Sequence, residues 1–414
     1  MNHIFQVVRE ASRTLSSISD TIRSRAINLL ARLVEENIDF LLEANAADLA
    51  RMDPSNPLYD RLQLTPARLA AIASDLRHVA ALPCPVGEEV EHRTLPNGID
   101  LRRVRVPFGV IGVIYEARPN VTFDVFSLCI KSGNACILKG GRDADDSNRA
   151  AISLIQRALI ESGLPADSAV LLPSTHEATA ELLNAVGYVD VCIPRGGRRL
   201  IDFVRDNARV PVIETGAGVV HAYFDADGSV AMGRDIIDNA KTRRVSVCNA
   251  LDTLIVHSSR LEDLPTLLSP LGQKGVELHA DTRALSVLRG AYPTEKLVEI
   301  TPTDLDREWM DLKMGVVTVD NLDQAIDHIT AHGSGHSETI ITDNEAAARE
   351  FTTRVDAACV YVNLPTSFTD GGQFGLGAEI GISTQKLGPR GPMGLREITT
   401  TRYILTGHGQ TRKP

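Results

Sequence analysis

The stretch Val110–Gly141, VIGVIYEARPNVTFDVFSLCIKSGNACILKGG, decides the fold predicted for this chain. Two short β-rich runs, Val110–Tyr115 and Ala135–Lys139, enclose a segment in which a helix is expected. A strand, a helix and a second strand in this order are typical of parallel strands joined by a crossover helix. The sequence therefore predicts an α/β fold around a mainly parallel sheet with helices on both faces.

The same alternation continues along the chain in two series. The first series adds strand candidates at Ala169–Leu172, Val189–Ile193 and Pro211–Glu214. A second series begins after Cys248, with strand candidates at Thr253–His257, Val276–His279, Val316–Val319, Thr339–Thr342 and Ala358–Val362. Because the alternation restarts, the sequence predicts two α/β domains, each with a parallel sheet.

The remaining segments are predicted to be helical or ribbon-like. The first eighty residues have apolar positions at helical spacing, and Thr65-Pro66 predicts a helix that runs to about Leu82. Residues 88–107 contain Asn97-Gly98, a strong hairpin signal, and therefore predict a two-stranded arm. The β-rich tail Thr399–Gly407 is a natural partner for this arm, and we expect the arm to dock on another subunit in a homo-oligomer.

Composition excludes several classes of protein. The chain has 414 residues, 43% of them hydrophobic, and a net charge of −10, which argues against a nucleic-acid binder. No apolar run is long enough to span a membrane, so we expect no membrane partner. The six cysteines lack paired CxxC spacing, which favours a reducing cytoplasm, and no His/Cys cluster has zinc spacing, so no metal is expected.

Cys248 and Glu214 are the first candidates for chemistry. They lie 34 positions apart (248 − 214 = 34), separated by a strand-like segment, Val219–Phe224, and a helix-like one, Val230–Lys241. A thiolate is a strong nucleophile and a good leaving group, which suits reversible acyl transfer. The alternative for any cysteine is plain packing, and this is the expectation for Cys129, Cys136, Cys192 and Cys359.

Two glycine-containing strand ends are candidates for binding a nucleotide, although no Gly-x-Gly-x-x-Gly fingerprint opens a helix after a strand. One is Lys139-Gly140-Gly141-Arg142, where the glycines allow a ligand to approach and Lys139 supplies positive charge. The other is Arg195-Gly196-Gly197, at a helix start whose free amides favour anions. The alternative for the second is a solvated basic helix start.

Several longer stretches resemble the gamma-glutamyl phosphate reductases of proline biosynthesis, within the aldehyde dehydrogenase superfamily. The matches run in the family's order over nearly the whole chain: Tyr115–Thr122, Lys131–Ala135, Ile137–Gly141, Val247–Ala250, Gly333–Ser337, Phe374–Lys386 and Arg390–Leu395. The chain departs from the family's usual pattern at Arg244-Val245, at Asp252 and at Leu364-Pro365. The last of these borders the expected substrate pocket.

The resemblance implies an aldehyde-dehydrogenase-like fold and an oxidoreductase. It implies NADPH-dependent reduction of L-glutamyl 5-phosphate to L-glutamate 5-semialdehyde and phosphate, through a thioester on Cys248. The backbone amide of Cys248 and the side chain of Asn120 are the candidate donors to the carbonyl oxygen. Glu214 has two alternatives, proton handling at the thiol or structural anchoring.

The resemblance also assigns binding residues and domains. NADPH is expected at Lys139 and Arg142, with Glu308 at the nicotinamide ribose unless Glu308 is only a surface acid. Arg118 and Lys386 are expected to bind the anionic substrate. The expected domains are an NADP-binding domain at residues 1–87 and 108–213, a catalytic domain at 214–397, and an oligomerisation arm and tail at 88–107 and 398–414.

Two other functions stay open at the level of sequence. One is another thioester-forming member of the superfamily, either an acyl-CoA reductase or a hydrolytic aldehyde dehydrogenase. The other is a non-catalytic oligomeric protein of the same fold, in which Cys248 is simply buried. A further expectation is association with glutamate 5-kinase, the enzyme that makes the labile acyl phosphate.

Overall fold

The computed structural model describes residues 1–54, 56 and 59–412, and the chain divides into two compact units. The first unit comprises Met1–Thr215, Gly375–Gly381 and Met393–Pro414. The second unit comprises Gly216–Phe374 and Ile382–Pro392. Each unit has its own parallel sheet and its own buried apolar core.

The helices and strands have the following bounds. The α-helices are α1 Asn2–Leu15, α2 Asp20–Glu36, α3 Ile38–Leu49, α4 Tyr59–Leu62, α5 Pro66–Ala81, α6 Asn120–Lys131, α7 Asp145–Glu161, α8 His176–Leu183, α9 Arg198–Asn207, α10 Val230–Thr242, α11 Leu264–Leu267, α12 Ser269–Gln273, α13 Thr282–Leu288, α14 Leu322–His332 and α15 Glu345–Arg354. The strands are β1 Glu89–Thr94, β2 Asp100–Pro107, β3 Val110–Tyr115, β4 Ala135–Lys139, β5 Ala169–Leu171, β6 Val191–Arg195, β7 His221–Phe224, β8 Thr253–His257, β9 Glu277–Ala280, β10 Leu297–Glu299, β11 Lys313–Val319, β12 Ser337–Ile341, β13 Cys359–Val362, β14 Ile382–Ser383, β15 Gly391–Pro392 and β16 Thr399–Thr406.

The first unit is built on a parallel sheet with strand order β5-β4-β3-β6. Every residue of β3 and β4 is buried, as continuous apolar runs in a sheet covered on both faces require. The predicted bounds of these two strands are confirmed to the residue. The chain runs outward from β3 to β4 and β5 and then returns to place β6 on the other side of β3. The β3 and β6 ends therefore flank a topological switch point.

The strand predicted over Pro211–Glu214 is wrong. Val212 forms a single bridge with Cys192, and the segment makes two backbone hydrogen bonds, from Cys192 N to Pro211 O and from Ile213 N to Cys192 O. Pro211 has no N–H to donate, which limits pairing where the segment begins. The strand predicted at Val189–Ile193 is real but begins two residues later, at Val191.

Helices cover the first sheet, and the start of α5 follows from local sequence signals. Thr65 accepts a hydrogen bond from Arg68 N at 3.2 Å through its side chain, and Pro66 occupies the first helical position. This cap fixes the start of α5 as the sequence predicts. Helix α7 begins with Asp145 and Asp146, as expected of acids in a first turn.

The arm and the tail form an antiparallel sheet in the order β1-β2-β16. The hairpin turns at Asn97-Gly98, where Gly98 has a φ of 83°, a left-handed conformation that favours glycine. The tail strand pairs with β2 from Thr399 opposite Pro107 to Thr406 opposite Asp100. The predicted hairpin and its pairing with the tail are confirmed within the chain, whereas docking on another subunit stays a prediction.

The second unit contains a wholly parallel sheet in the order β10-β9-β11-β8-β7-β12-β13. The strand predicted at Thr253–His257 is confirmed to the residue, and the other strands of the second series lie within a few residues of their predicted positions. Over the part of the chain that the structure describes, no helix combines the length and the apolar character needed to cross a bilayer.

Candidate active site

Cys248 lies in the cysteine loop, residues 243–252, between α10 and β8. The loop therefore enters the second sheet at the amino end of β8. Cys248 is partly exposed, whereas the four cysteines expected to serve packing (Cys129, Cys136, Cys192 and Cys359) are all buried. Among the cysteines of the second unit, Cys248 is thus the one with access to a reactant.

The cysteine loop is held by side chains from elsewhere in the second unit. Asn249 Nδ2 donates to Thr369 O at 2.9 Å, and Thr366 Oγ1 donates to Asn249 O at 2.9 Å. On the other side, a Cβ added to Gly218 would overlap the carbonyl oxygen of Cys248. The backbone at Gly218 thus packs directly against Cys248, which fixes the thiol on a constrained loop.

Glu214 belongs to the first unit. It lies two residues after Val212, which forms the bridge to Cys192 in β6. Its side chain is about one quarter exposed (27%), and its Oε2 lies 3.8 Å from Arg205 Nη1. This weak ion pair is compatible with either role predicted for Glu214, because it leaves the carboxylate partly accessible.

Asn120 is the first residue of α6, and its side chain has a partner that the sequence analysis missed. Asn120 Nδ2 donates to Asp124 Oδ2 at 3.0 Å. Burial raises the pKa of Asp124 to about 6, and the positive charge of Arg195 opposes this rise. The signal available in the sequence was the spacing of four residues, which places both side chains on one face of a helix.

Lys139 is the last residue of β4, at the carboxyl edge of the first sheet, and is buried. Its Nζ donates to Gly140 O at 3.2 Å, and burial lowers its pKa. Gly140 and Gly141 follow, and the exposed Arg142 begins a short 3-10 turn. A buried ammonium beside an exposed guanidinium provides donors that suit a phosphate group.

Two of the acids that follow Lys139 are paired with arginine side chains. Asp145 accepts from Arg149 Nε at 2.8 Å, and Asp146 accepts from Arg51 Nη1 at 2.7 Å. These pairs offset negative charge that would otherwise oppose a phosphate near Lys139. The residues at this strand end therefore fit an anionic dinucleotide.

A cavity of about 260 Å³ opens beside β5, the edge strand next to β4. It is lined by side chains of α7 and by residues at the end of β5, namely Arg149, Ile152, Gln156, Val170, Leu171, Leu172 and Pro173. Its lining combines aliphatic side chains with the Arg149 guanidinium and the Gln156 amide. Nothing in the spacing of these residues pointed to it in advance.

The second predicted nucleotide site, Arg195-Gly196-Gly197, already contains a carboxylate of the protein. Glu116, which follows β3, accepts a hydrogen bond from Gly197 N at 3.0 Å through Oε2. A Cβ added to Gly196 would lie 2.5 Å from the same oxygen. Glu116 therefore caps the start of α9 across the switch point, and an anionic ligand there would have to displace or avoid it.

Glu308 lies in the tryptophan loop, residues 300–312, which connects β10 to β11. The neighbouring Trp309 ring lies 4.4 Å from the ring of His279, centroid to centroid, and the Arg307 guanidinium lies 5.0 Å from the Trp309 ring. Trp309 N donates to Asp252 Oδ1 at 2.9 Å. Glu308 is thus carried on a loop that several contacts fix, and its side chain is partly exposed.

The two cations predicted to bind substrate differ in their surroundings. Arg118 is partly buried in the turn between β3 and α6. Lys386 is exposed, and its Nζ lies 2.5 Å from Asp356 Oδ2, which belongs to a carboxylate that also binds Arg390. A substrate anion would have to compete with Asp356 for Lys386.

Comparison with known proteins gives the family. No family model matches the chain. The chain is 57% identical over 412 residues to gamma-glutamyl phosphate reductase of Bacteroides thetaiotaomicron, covering 100% of this chain and 99% of the relative. The chain belongs to the gamma-glutamyl phosphate reductase family.

Solved structures agree with this family. The crystal structure of gamma-glutamyl phosphate reductase from Thermotoga maritima superposes with a TM-score of 0.95 at 39% identity, covering 99% of both chains. An acetylating aldehyde dehydrogenase from Geobacillus thermoglucosidasius has a TM-score of 0.71 at 16% identity, covering 100% of this chain and 97% of that one. The second likeness shows that the family shares the aldehyde-dehydrogenase-like α/β fold, as the sequence predicts.

Proposed function

We propose that this chain reduces L-glutamyl 5-phosphate to L-glutamate 5-semialdehyde and phosphate in proline biosynthesis, with NADPH as the reductant. The observation that carries the proposal is the full-length identity of 57% with a gamma-glutamyl phosphate reductase. The partly exposed Cys248, held on a constrained loop, supports it with a nucleophile in a suitable environment.

The first chemical step uses Cys248. Its thiolate attacks the acyl carbon of the substrate, a C–S bond forms, the C–O bond to phosphate breaks, and phosphate leaves with its electron pair. Because an acyl phosphate is already activated, the leaving group needs little help from an acid. The product of this step is a thioester on Cys248.

The second step reduces the thioester. NADPH, when bound, supplies the hydride. Negative charge then develops on the former carbonyl oxygen, and we assign the Cys248 backbone amide and the Asn120 side chain as its hydrogen-bond donors. Collapse of this tetrahedral species breaks the C–S bond, releases the aldehyde and returns the thiolate. Glu214 keeps its two alternatives, proton handling at the thiol or anchoring.

For the cofactor, we assign Lys139 and Arg142 to the adenosine ribose and its 2′-phosphate, with Gly140 and Gly141 allowing close approach. The donors at the end of β4 support this assignment, and so does the cavity beside β5, which can take the adenine ring. Glu308 is assigned to the nicotinamide ribose. The amides of Gly196 and Gly197, beside Arg195, remain a proposed cofactor contact that requires Glu116 to move.

For the substrate, we assign Arg118 and Lys386 to its anionic groups. Because Lys386 is exposed and paired with Asp356, it would exchange that carboxylate for an anionic group of the substrate. In the proposed domain organisation, residues 1–87 and 108–213 form the NADP-binding domain, and residues 214–397 form the catalytic domain, which carries Cys248 and also contributes Glu308.

We propose a homo-oligomer that assembles through residues 88–107 and 398–414. The tail strand β16 supports this, because it lies at an edge of its sheet and exposes Tyr403, Ile404 and Leu405. Association with glutamate 5-kinase would shorten the exposure of the acyl phosphate to water. A cytoplasmic location suits a mechanism that requires a reduced thiol.

The reverse reaction tests the proposed function. Wild-type protein should reduce NADP+ with glutamate semialdehyde only when phosphate is present, and coenzyme A should not replace phosphate. C248A should lose activity by orders of magnitude while it still binds NADPH. Activity that depends on coenzyme A, or that needs neither acceptor, would assign the chain to an acyl-CoA reductase or a hydrolytic dehydrogenase instead.

A further inference from the structure

Lys241, the penultimate residue of α10, is an enclosed ammonium that the mechanism above does not use. Its side chain is fully buried, and its Nζ has no hydrogen-bond partner within residues 1–54, 56 and 59–412. A charged group that loses its water is destabilising unless an opposite charge lies close by. Such a charge is present in the same part of the second unit.

That charge belongs to Asp252, at the end of the cysteine loop, which is only 2% exposed. Burial raises the pKa of Asp252 and lowers the pKa of Lys241, whereas the attraction between the two groups opposes both shifts. Each group therefore depends on the other to stay charged. Removing one partner would leave the other as an unpaired buried charge or force it to become neutral.

The Asp252 carboxylate joins two separate segments. Its Oδ1 accepts from Trp309 N at 2.9 Å, and its Oδ2 accepts from Val220 N at 3.2 Å. Leu251, the residue before Asp252, donates through its N to Ala240 O in α10 at 3.0 Å. Asp252 thus connects the cysteine loop to the tryptophan loop, and the bond from Leu251 N to Ala240 O holds the same loop against the end of α10, next to Lys241.

The tryptophan loop has a backbone that needs such support. Met310 has a φ of 52°, a left-handed conformation that side-chain-bearing residues adopt only when their surroundings enforce it. Glu308 lies directly before Trp309, whose amide Asp252 holds and whose ring packs on His279. The backbone next to Glu308 is therefore held in part by the bond between Asp252 and Trp309.

We propose that Lys241 and Asp252 are positioning residues that set the place of Glu308 for the nicotinamide ribose. The proposal rests on the cofactor role assigned to Glu308 above. The positive charge of Lys241 favours the ionised form of Asp252, and the ionised carboxylate accepts from both Trp309 N and Val220 N. Neither residue needs to touch the substrate or the cofactor.

The variants K241M and D252N test the pair, because each removes one charge at similar side-chain volume. The amide of D252N has one acceptor oxygen and cannot satisfy both backbone N–H groups. We expect each variant to raise the KM for NADPH at least tenfold. The rate at which iodoacetamide alkylates Cys248 should change less than threefold, because Asn249, Thr366 and Gly218 still hold the cysteine loop.

A second readout needs no catalytic turnover. Trp309 is the single tryptophan of the chain, so its fluorescence reports on the tryptophan loop directly. Both variants should make Trp309 more accessible to acrylamide and weaken the energy transfer from Trp309 to bound NADPH. Because this measurement requires no acyl phosphate, it tests the pair even if the chain fails to reduce glutamyl phosphate.

The matched control is K131M, which removes the other lysine that is fully buried among the described residues. Lys131 Nζ donates to Ser24 Oγ and Ala80 O and pairs with Asp20 in the first unit. Its loss should lower the melting temperature without changing the KM for NADPH or the Trp309 signal. If the loss of any buried lysine had a general effect, K131M and K241M would both change the melting temperature, the KM for NADPH and the Trp309 signal.

The double variant K241M/D252N keeps the proposal falsifiable if a single variant does not fold. It leaves no charge unpaired, so it should fold more stably than either single variant. One backbone contact is still lost, so its KM for NADPH should stay at least threefold above that of the wild type. A wild-type KM together with wild-type Trp309 quenching, in either single variant or in the double variant, would overturn the proposal.

Discussion

Replacing Gly218 by alanine should inactivate the protein without unfolding it. A Cβ at this position would overlap the carbonyl oxygen of Cys248, and the contact is with backbone, so no side chain can rotate away. Relief requires the cysteine loop or the Gly218 segment to move by more than about 1 Å. A misplacement of this size at a reacting group costs roughly 10²-fold in rate.

The assay for G218A is phosphate-dependent reduction of NADP+ by glutamate semialdehyde, together with alkylation of Cys248 by iodoacetamide. We expect kcat to fall at least about 10²-fold and the alkylation rate to change. NADPH binding should persist, because the cofactor donors at the end of β4 belong to the first unit.

Gly275 provides the control for G218A. A Cβ there meets no heavy atom within 4 Å, but its φ of 73° makes alanine cost about 1 kcal/mol or more in stability. G275A should therefore lower the melting temperature and keep wild-type kcat. If G218A retained wild-type kcat with unchanged thiol reactivity, the packing of Gly218 against Cys248 would not matter for catalysis.

Three further predictions concern the cofactor, the Asn120 amide and assembly. K139A should raise the KM for NADPH more than that for NADH, because Lys139 is proposed to bind the 2′-phosphate; equal increases in steady-state assays would contradict this. Asp124 has a pKa raised to about 6, so it gains a proton as the pH falls through 6 and accepts less strongly from Asn120. The value of kcat/KM should therefore decline below pH 6 in the wild type, and D124N should lose this decline. An identical pH profile in D124N would exclude Asp124 as the group responsible. Deletion from Thr399 onward should yield monomers or insoluble protein, and sedimentation of the full-length chain as a monomer at micromolar concentration would refute the proposed oligomer.

The sequence alone determined the features that depend on near neighbours. The mostly apolar runs of β3, β4 and β8 define their strands to the residue, because a strand buried on both faces leaves a continuous signal. The caps at Thr65 and the turn at Asn97-Gly98 follow from local backbone chemistry. The segment Pro211–Glu214 has a β-like composition but forms no strand, because composition is local whereas strand pairing depends on a neighbouring segment.

Only the tertiary structure decided which distant groups meet. Glu116 caps α9 from 81 positions away, and Asp252 holds Trp309 from 57 positions away. Likewise, Gly218 packs on Cys248, and Leu251 N bonds to Ala240 O beside the buried Lys241. No local preference of these residues encodes such pairs, because their proximity is produced by the order of the strands, and the energy of a buried charge depends on what else is buried with it.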